Sequence, residues 1–328
     1  MRFYIKLFLF FFSIPLFAQE QIVDTTAYTF INYDLNRITN GKNNLYSFFE
    51  KLYLLENNEI NKVSIFHFGD SHVAGLSFPN RLEYLFQLNF GNLGRMVHTE
   101  QPKVKKRYAK RRRRRGGDID DFSTEFAAIK DTLFTPDSLV IDTDTSWLSL
   151  VPVNKSGIYF NIYGNVGKSF PFFTSSSFFM TQLEAANPDL AVITLGTNDA
   201  FAPKFDSLLF YNNAKELITA LKRSNPKVNI ILTIPSESYI KRKTINANIE
   251  VVKNAIILLA EKEKVCAWDF YDIMAYDDKM NNWVVNGLAT NDKVHFTKQG
   301  YTLMADLLYV AIMKEYESFL LEKNNFRR

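Results

Sequence analysis

From Asn44 onward, short β-prone apolar runs alternate with amphipathic segments of helix length, and this rhythm points the chain to a parallel sheet covered by helices. Asn44–Leu55 sets Leu45, Phe48, Phe49, Leu52 and Leu55 at helical spacing, and Lys62–Phe68 follows as a β-rich run ending in Gly69. Phe78–Phe90 carries Phe78, Leu82, Leu85 and Phe86 on one helical face. The alternation continues with strand Gly157–Tyr163, a helix around Phe178–Ala186, strand Leu190–Leu195, helix Ser207–Arg223 and strand Val228–Ile234. Helix Ile245–Lys262, strand Lys264–Tyr271 and helix Thr297–Leu321 complete it. The expectation is an α/β fold with a five-stranded parallel sheet and helices on both faces.

Two regions break the rhythm. Gln19 to about Gly41 is polar with scattered aromatics, an extended lead-in to a domain over 42–328. Residues 97–155 hold a basic run, Gly116-Gly117, an acidic patch at Asp118–Asp121 and Thr- and Asp-rich stretches, and read as a small insertion. Its later part, Ser138–Val153, has short β-prone runs compatible with a hairpin. No internal repeat is visible, which excludes a solenoid.

The start of the chain reads as a secretory signal: Arg2 and Lys6, then apolar Leu7–Phe17, with cleavage placed after Ala18. Ser13 and Pro15 interrupt the apolar run, which is shorter than the roughly 20 residues of a spanning helix. An uncleaved anchor is therefore disfavoured, and no transmembrane span is expected in the mature chain. The only cysteine, Cys266, lies far from the signal, so a lipoprotein anchor is disfavoured and no internal disulfide can form. Its apolar neighbours Val265, Ala267 and Trp268 make it a packed core residue. An exported chain without staples must rely on its core, and 47% hydrophobic content over 328 residues is enough for one large domain or two small ones.

The net charge of +4 is unevenly placed. Ten basic residues fall between Lys103 and Arg115, so the rest of the chain is net negative. This run could contact an anionic surface such as glycan or membrane phosphates, or be a solvated loop neutralised by the acids after Gly117. Nucleic acid is not expected as the partner of an exported chain.

Three short segments far apart carry the chemistry: Gly69-Asp70-Ser71-His72, Gly196-Thr197-Asn198-Asp199 and Asp292-Lys293-Val294-His295. A serine hydroxyl needs a base within hydrogen-bond reach and a third group to orient that base. Ser71, His295 and Asp292 can fill these roles, because only His295 among the four histidines has an acid three residues before it, just ahead of a helix. His72 adjoins Ser71 and is a weak base candidate, since neighbouring side chains diverge at a sharp turn; His67 lies inside a strand and reads as a core histidine. Attack on an ester creates an oxyanion, for which Asn198 offers a side-chain amide and Gly167 a backbone N–H. Asp70 and Asp199 read as structural.

These blocks, above all Phe68-Gly69-Asp70-Ser71-His72 and Leu195-Gly196-Thr197-Asn198-Asp199, resemble the SGNH, or GDSL-type, hydrolase family. Asn187–Phe201, with Val294-His295-Phe296-Thr297 and Gly300-Tyr301, is similar to an exported bacterial branch that includes polysaccharide and peptidoglycan O-acetylesterases. The resemblance runs from about Lys62 to the last helix, the insertion excepted. It implies a flavodoxin-like α/β/α sandwich, a triad of Ser71, His295 and Asp292, an oxyanion hole of Ser71, Gly167 and Asn198, and no metal or organic cofactor. One departure stands out: where that branch commonly has Asn-Gly-Ala, this chain has Val166-Gly167-Lys168. Lys168 then either faces solvent or meets a negatively charged part of the substrate, and Gly164 remains an alternative to Gly167.

The leading expectation is a secreted, periplasmic or extracellular, ester hydrolase acting on an acylated carbohydrate or another small ester. A lipid esterase or thioesterase for longer acyl chains is the alternative within enzymes. A glycan-binding protein on an inactive hydrolase scaffold is the alternative outside them.

Overall fold

The computed structural model describes residue 24 and residues 27–98 and 151–325. The secretory signal at 1–18 and the basic run at 103–115 lie outside the described residues, as does the hairpin expected at 138–153 save for its last three residues.

The chain opens with a 3-10 turn at Tyr33–Leu35, then β1 (Ile38–Thr39), α1 (Gly41–Asn44), α2 (Tyr46–Glu56), β2 (Lys62–Gly69), α3 (Ser71–Ala74), α4 (Ser77–Phe90) and β3 (Asn92–Val97). Beyond residue 151 come β4 (Gly157–Gly164), α5 (Phe170–Ser175), α6 (Ser177–Ala186), β5 (Leu190–Thr194), α7 (Thr197–Ala200), α8 (Ser207–Ser224) and β6 (Asn229–Thr233). A small hairpin of β7 (Tyr239–Ile240) and β8 (Thr244–Ile245) precedes α9 (Asn248–Glu263), β9 (Cys266–Trp268), α10 (Phe270–Ile273), α11 (Lys279–Val285) and α12 (Lys298–Asn325).

The main sheet has the order β1-β9-β6-β5-β2-β4-β3, all neighbours parallel except β1 with β9. It has seven strands where the sequence rhythm predicts five. The two extra strands are edges: β1 comes from the segment read as a lead-in, and β3 directly follows α4. Cys266 is fully buried in β9, as its neighbours predicted.

Alternation along the central strands builds two cores. On β2, Val63 and Ile65 join one apolar cluster while Phe66 and Phe68 join the other; β5 divides Leu190 and Val192 from Ala191 and Ile193 in the same way. The first cluster is completed by α2, α4 and α12, including Phe48, Phe49, Leu52, Phe86 and Leu308. The second is completed by α5, α6, α8 and α9, including Phe173, Leu183, Leu217 and Leu259. Helices thus cover both faces, in a three-layer α/β/α sandwich.

The chain moves from β4 to β5 across β2, so β2 sits where the strand order reverses. Open α/β sheets place ligands outside the carboxyl ends of the strands at such a point. Gly69 of β2 lies level with Gly164 of β4 and Thr194 of β5, so the loops after these three strands emerge side by side.

Candidate active site

Ser71 begins α3, two residues beyond the end of β2, in a turn whose tightness is set by two glycines. A Cβ on Gly69 would stand 2.1 Å from Thr194 O, and one on Gly164 would stand 2.2 Å from Ala74 N. Gly164 is therefore what lets α3 press onto β4. Asp70 closes the turn as expected, its Oδ1 accepting from His72 N at 3.0 Å. Burial pushes the Asp70 carboxyl up to about 7, against the pull of the His72 N–H.

The loop before α12 brings His295 and Asp292 to Ser71. His295 Nδ1 donates to Asp292 Oδ2 at 2.7 Å, and His295 Nε2 lies 3.0 Å from Ser71 Oγ. An ionised carboxylate only accepts, so the neutral imidazole carries its proton on Nδ1 and offers the Nε2 lone pair to the serine hydroxyl. All three residues are buried. The other oxygen of Asp292 accepts from Val294 N and His295 N, both at 2.9 Å, and from Thr290 Oγ1 at 2.6 Å. Burial alone would raise this carboxyl, but the hydrogen bond and charge of His295, with the backbone N–H and Thr290, hold it well below the usual carboxylate range.

Asn198 stands in α7, after Gly196, whose φ of +116° turns the chain out of β5. Its amide Nδ2 donates to Asp70 Oδ2 at 3.2 Å and to Lys168 O at 3.0 Å. An oxyanion would take over or share one of these bonds. Gly167, with φ +71°, lies in the turn after β4, which is tied to the end of β2 by Asn165 N donating to Gly69 O at 2.9 Å. The Lys168 side chain lies over the Phe172 ring, with Nζ 4.6 Å from its centroid.

The remaining histidines divide as the sequence suggests. His67 is a core residue on β2, 2.9 Å from Thr194 Oγ1, and burial lowers its pKa to about 3. His98 sits between Gln182 Oε1 at 2.8 Å and Asn161 Oδ1 at 3.2 Å. His72 Nδ1 lies 2.9 Å from Tyr301 Oη, and its ring packs 5.3 Å from that of His295. Burial lowers its pKa to about 3, reinforced by the neighbouring His295.

The sequence reading missed three supports: Thr290 on Asp292, Asp70 on Asn198 and Tyr301 on His72. The first had a signal, a hydroxyl two residues before the acid. The other two join positions 128 and 229 residues apart, which no local pattern announces.

A hydroxyl paired with an oriented neutral imidazole, beside an amide that can receive negative charge, is equipped for acyl transfer. Residues 161–303 match the family model described as the GDSL-like lipase/acylhydrolase family. That match, with the fold, supports an SGNH/GDSL-type hydrolase that acts on carboxylic esters. The solved structure of a peptidoglycan O-acetylesterase superposes on this hydrolase with a TM-score of 0.65 at 17% identity, over 86% of this chain and 99% of that one. Also similar are Axe2, an acetylxylan esterase from Geobacillus stearothermophilus (TM-score 0.43, 14% identity, 76% and 94% covered), and a carbohydrate esterase family 3 protein from Talaromyces cellulolyticus (TM-score 0.48, 13% identity, 78% and 99% covered). At 17% identity the likeness to the peptidoglycan O-acetylesterase is one of fold. No curated protein matches the sequence.

Proposed function

We propose that this hydrolase removes O-acetyl or other short acyl groups from a carbohydrate polymer, through an acyl-enzyme on Ser71. The observation that carries the reading is the unbroken chain from Ser71 Oγ through His295 to Asp292, at 3.0 Å and 2.7 Å.

Ser71 Oγ attacks the ester carbonyl as its proton passes to His295 Nε2. The tetrahedral intermediate collapses, the ester C–O bond breaks, and the leaving alcohol takes the proton from His295. Water, deprotonated by the same nitrogen, then attacks the acyl-enzyme, releasing the carboxylic acid and restoring Ser71. Asp292 fixes the imidazole tautomer and stabilises the imidazolium. The N–H groups of Ser71 and Gly167 and the Asn198 amide hold the oxyanion.

The intact chain of Ser71, His295 and Asp292 weighs against a binding protein without chemistry. The carbohydrate end of the proposal rests on the likeness to a peptidoglycan O-acetylesterase.

Export follows from the signal read over 1–18, and the site belongs to the domain read over 42–328, whose sheet reaches back to β1 at Ile38–Thr39, with an insertion at about 97–155. The run Lys103–Arg115 is assigned to contact with an anionic surface. Among the described residues no helix is long and apolar enough to cross a membrane.

The test is acetate release from acetylated peptidoglycan, acetylated xylan and a small aryl acetate, with Ser71→Ala beside the natural chain. Release from a polymer that disappears in Ser71→Ala is the expected result. Release confined to longer acyl esters would move the substrate to lipids, and no Ser71-dependent release from any ester would overturn the reading.

A further inference from the structure

The hairpin of β7 and β8 projects beside the active site with three cations at its tip. Its base is fastened to the loop of Asp292 and His295: Tyr239 N donates to Lys293 O at 3.0 Å, and Lys293 Nζ lies 4.3 Å from the centroid of the Tyr239 ring. Asn246 N donates to Ser238 O at 2.8 Å, and Asn246 Nδ2 donates to Ala200 O at 3.2 Å, joining the other side of the hairpin to the end of α7, the helix of Asn198. The hairpin therefore sits against both loops that supply the site.

Its turn is made of unusual residues. Lys243 N donates to Ile240 O at 3.1 Å, and the two central residues, Lys241 and Arg242, have φ of +50° and +63°. Two successive positive φ values define the type I′ family of turns, which favours Asn-Gly because a side chain is strained there. Here the positions hold Lys and Arg, followed by Lys243, all exposed. Strain kept at a functional edge suggests that the side chains serve another purpose.

The charges around the hairpin point the same way. Lys168 on the Asn198 side and Lys293 on the His295 side are both partly exposed. The acids nearby are mostly buried and engaged: Asp70 with His72 N and Asn198, Asp292 with His295, and Glu237 with Met280 N. Asp278, near Tyr239, is bonded to Asn281 Nδ2.

We propose that Arg242 and Lys243, continued by Lys168 and Lys293, form a cationic rim that holds a carboxylate-bearing acylated glycan across the active site. This deepens the esterase reading by naming the substrate's charge. Carboxylates spaced along a polymer are drawn to such a rim by a field that salt screens, and the acyl group is presented to Ser71.

The test pairs the natural chain with Lys241→Asn/Arg242→Gly, the sequence the turn itself prefers. The variant's melting temperature is expected to rise, so loss of fold cannot explain its kinetics. The readout is the ratio of kcat/KM on an acylated polymer to kcat/KM on a neutral aryl acetate. For acetylated polygalacturonate and acetylated peptidoglycan, two sources of carboxylates, the ratio is expected to fall by about tenfold at low salt, and the natural chain's ratio to fall to the same level near 1 M salt, where the screening length is about 3 Å. A fall on one of the two polymers alone identifies which carboxylate source the rim fits. For neutral acetylated xylan the ratio is expected to stay level. An unchanged ratio on both anionic polymers, or an equal fall on xylan, would overturn the rim while leaving ester hydrolysis intact. Should no ester be turned over, retention on deacetylated polygalacturonate reads the rim separately: equal retention of natural chain and variant at low salt overturns it.

Discussion

Asp292 is more than a partner for His295, because its second oxygen collects two backbone N–H groups and the Thr290 hydroxyl. Asp292→Asn keeps the shape but can present an N–H to His295 Nδ1, forcing the other tautomer and removing the Nε2 lone pair from Ser71. We expect kcat on an aryl acetate to fall by about 10³- to 10⁴-fold with KM little changed, as in other serine triads. Asn198→Ala is expected to cost about 10²- to 10³-fold in kcat, the usual effect of losing one oxyanion donor. A loss below tenfold would mean that Asn198 merely ties Asp70 to Lys168. His72 is a different case, since its pKa is lowered to about 3 from 6.5. Between those values the unfolded chain binds a proton that the folded chain refuses, so His72 destabilises the protein increasingly as pH falls below 6.5. At pH 5 this penalty is about 2 kcal/mol. His72→Phe should therefore gain about that much relative to the natural chain between pH 7.5 and pH 5, measured by urea unfolding at each pH. Ser71, Asn198, Asp292 and His295 were legible because each sits in a short block whose residue types fit one reaction. The His72–Tyr301 pair was not, because a hydrogen bond between a turn and a distant helix leaves no periodic trace.

At the scale of elements, the site depends on how closely α3 approaches the sheet. Gly164→Ala would put a methyl 2.2 Å from the backbone nitrogen of Ala74 and 2.3 Å from its Cα, contacts that only a shift of α3 can relieve. Overpacking of this kind costs about 1–3 kcal/mol, and an ångström of displacement at a nucleophile can cost about 10²-fold in rate. The expected outcome is a lower melting temperature together with a disproportionate fall in kcat. A fall in melting temperature with kcat intact would show that α3 keeps its place. The long helices and the five central strands were legible from periodicity, since each presents a sustained apolar face or run. The edges were not: β1 has only two residues, and β3 carries Gly94, bends at a register shift after Asn92 and exposes Met96. Edge strands bury less apolar surface, so the pattern that reveals a strand fades where the sheet ends.

Across the whole molecule, one sheet is shared by two cores. Phe49 packs in the core of α2, α4 and α12, and Leu217 in the core of α5, α6, α8 and α9, while β2 feeds alternate side chains to both and carries Ser71 at its end. A layer that belongs to both cores cannot keep its register when one face is lost, so the two should unfold together although the chain is large. Phe49→Ala and Leu217→Ala should each cost about 2–5 kcal/mol, the range for emptying a buried large side chain. In both variants the loss of near-ultraviolet circular dichroism and the loss of aryl acetate turnover should move down in temperature by matching amounts. If turnover vanished well before the dichroism in Phe49→Ala alone, the α12 side, which positions Tyr301 behind His72, would be a separately melting unit, and the catalytic loop would owe its order to that core only.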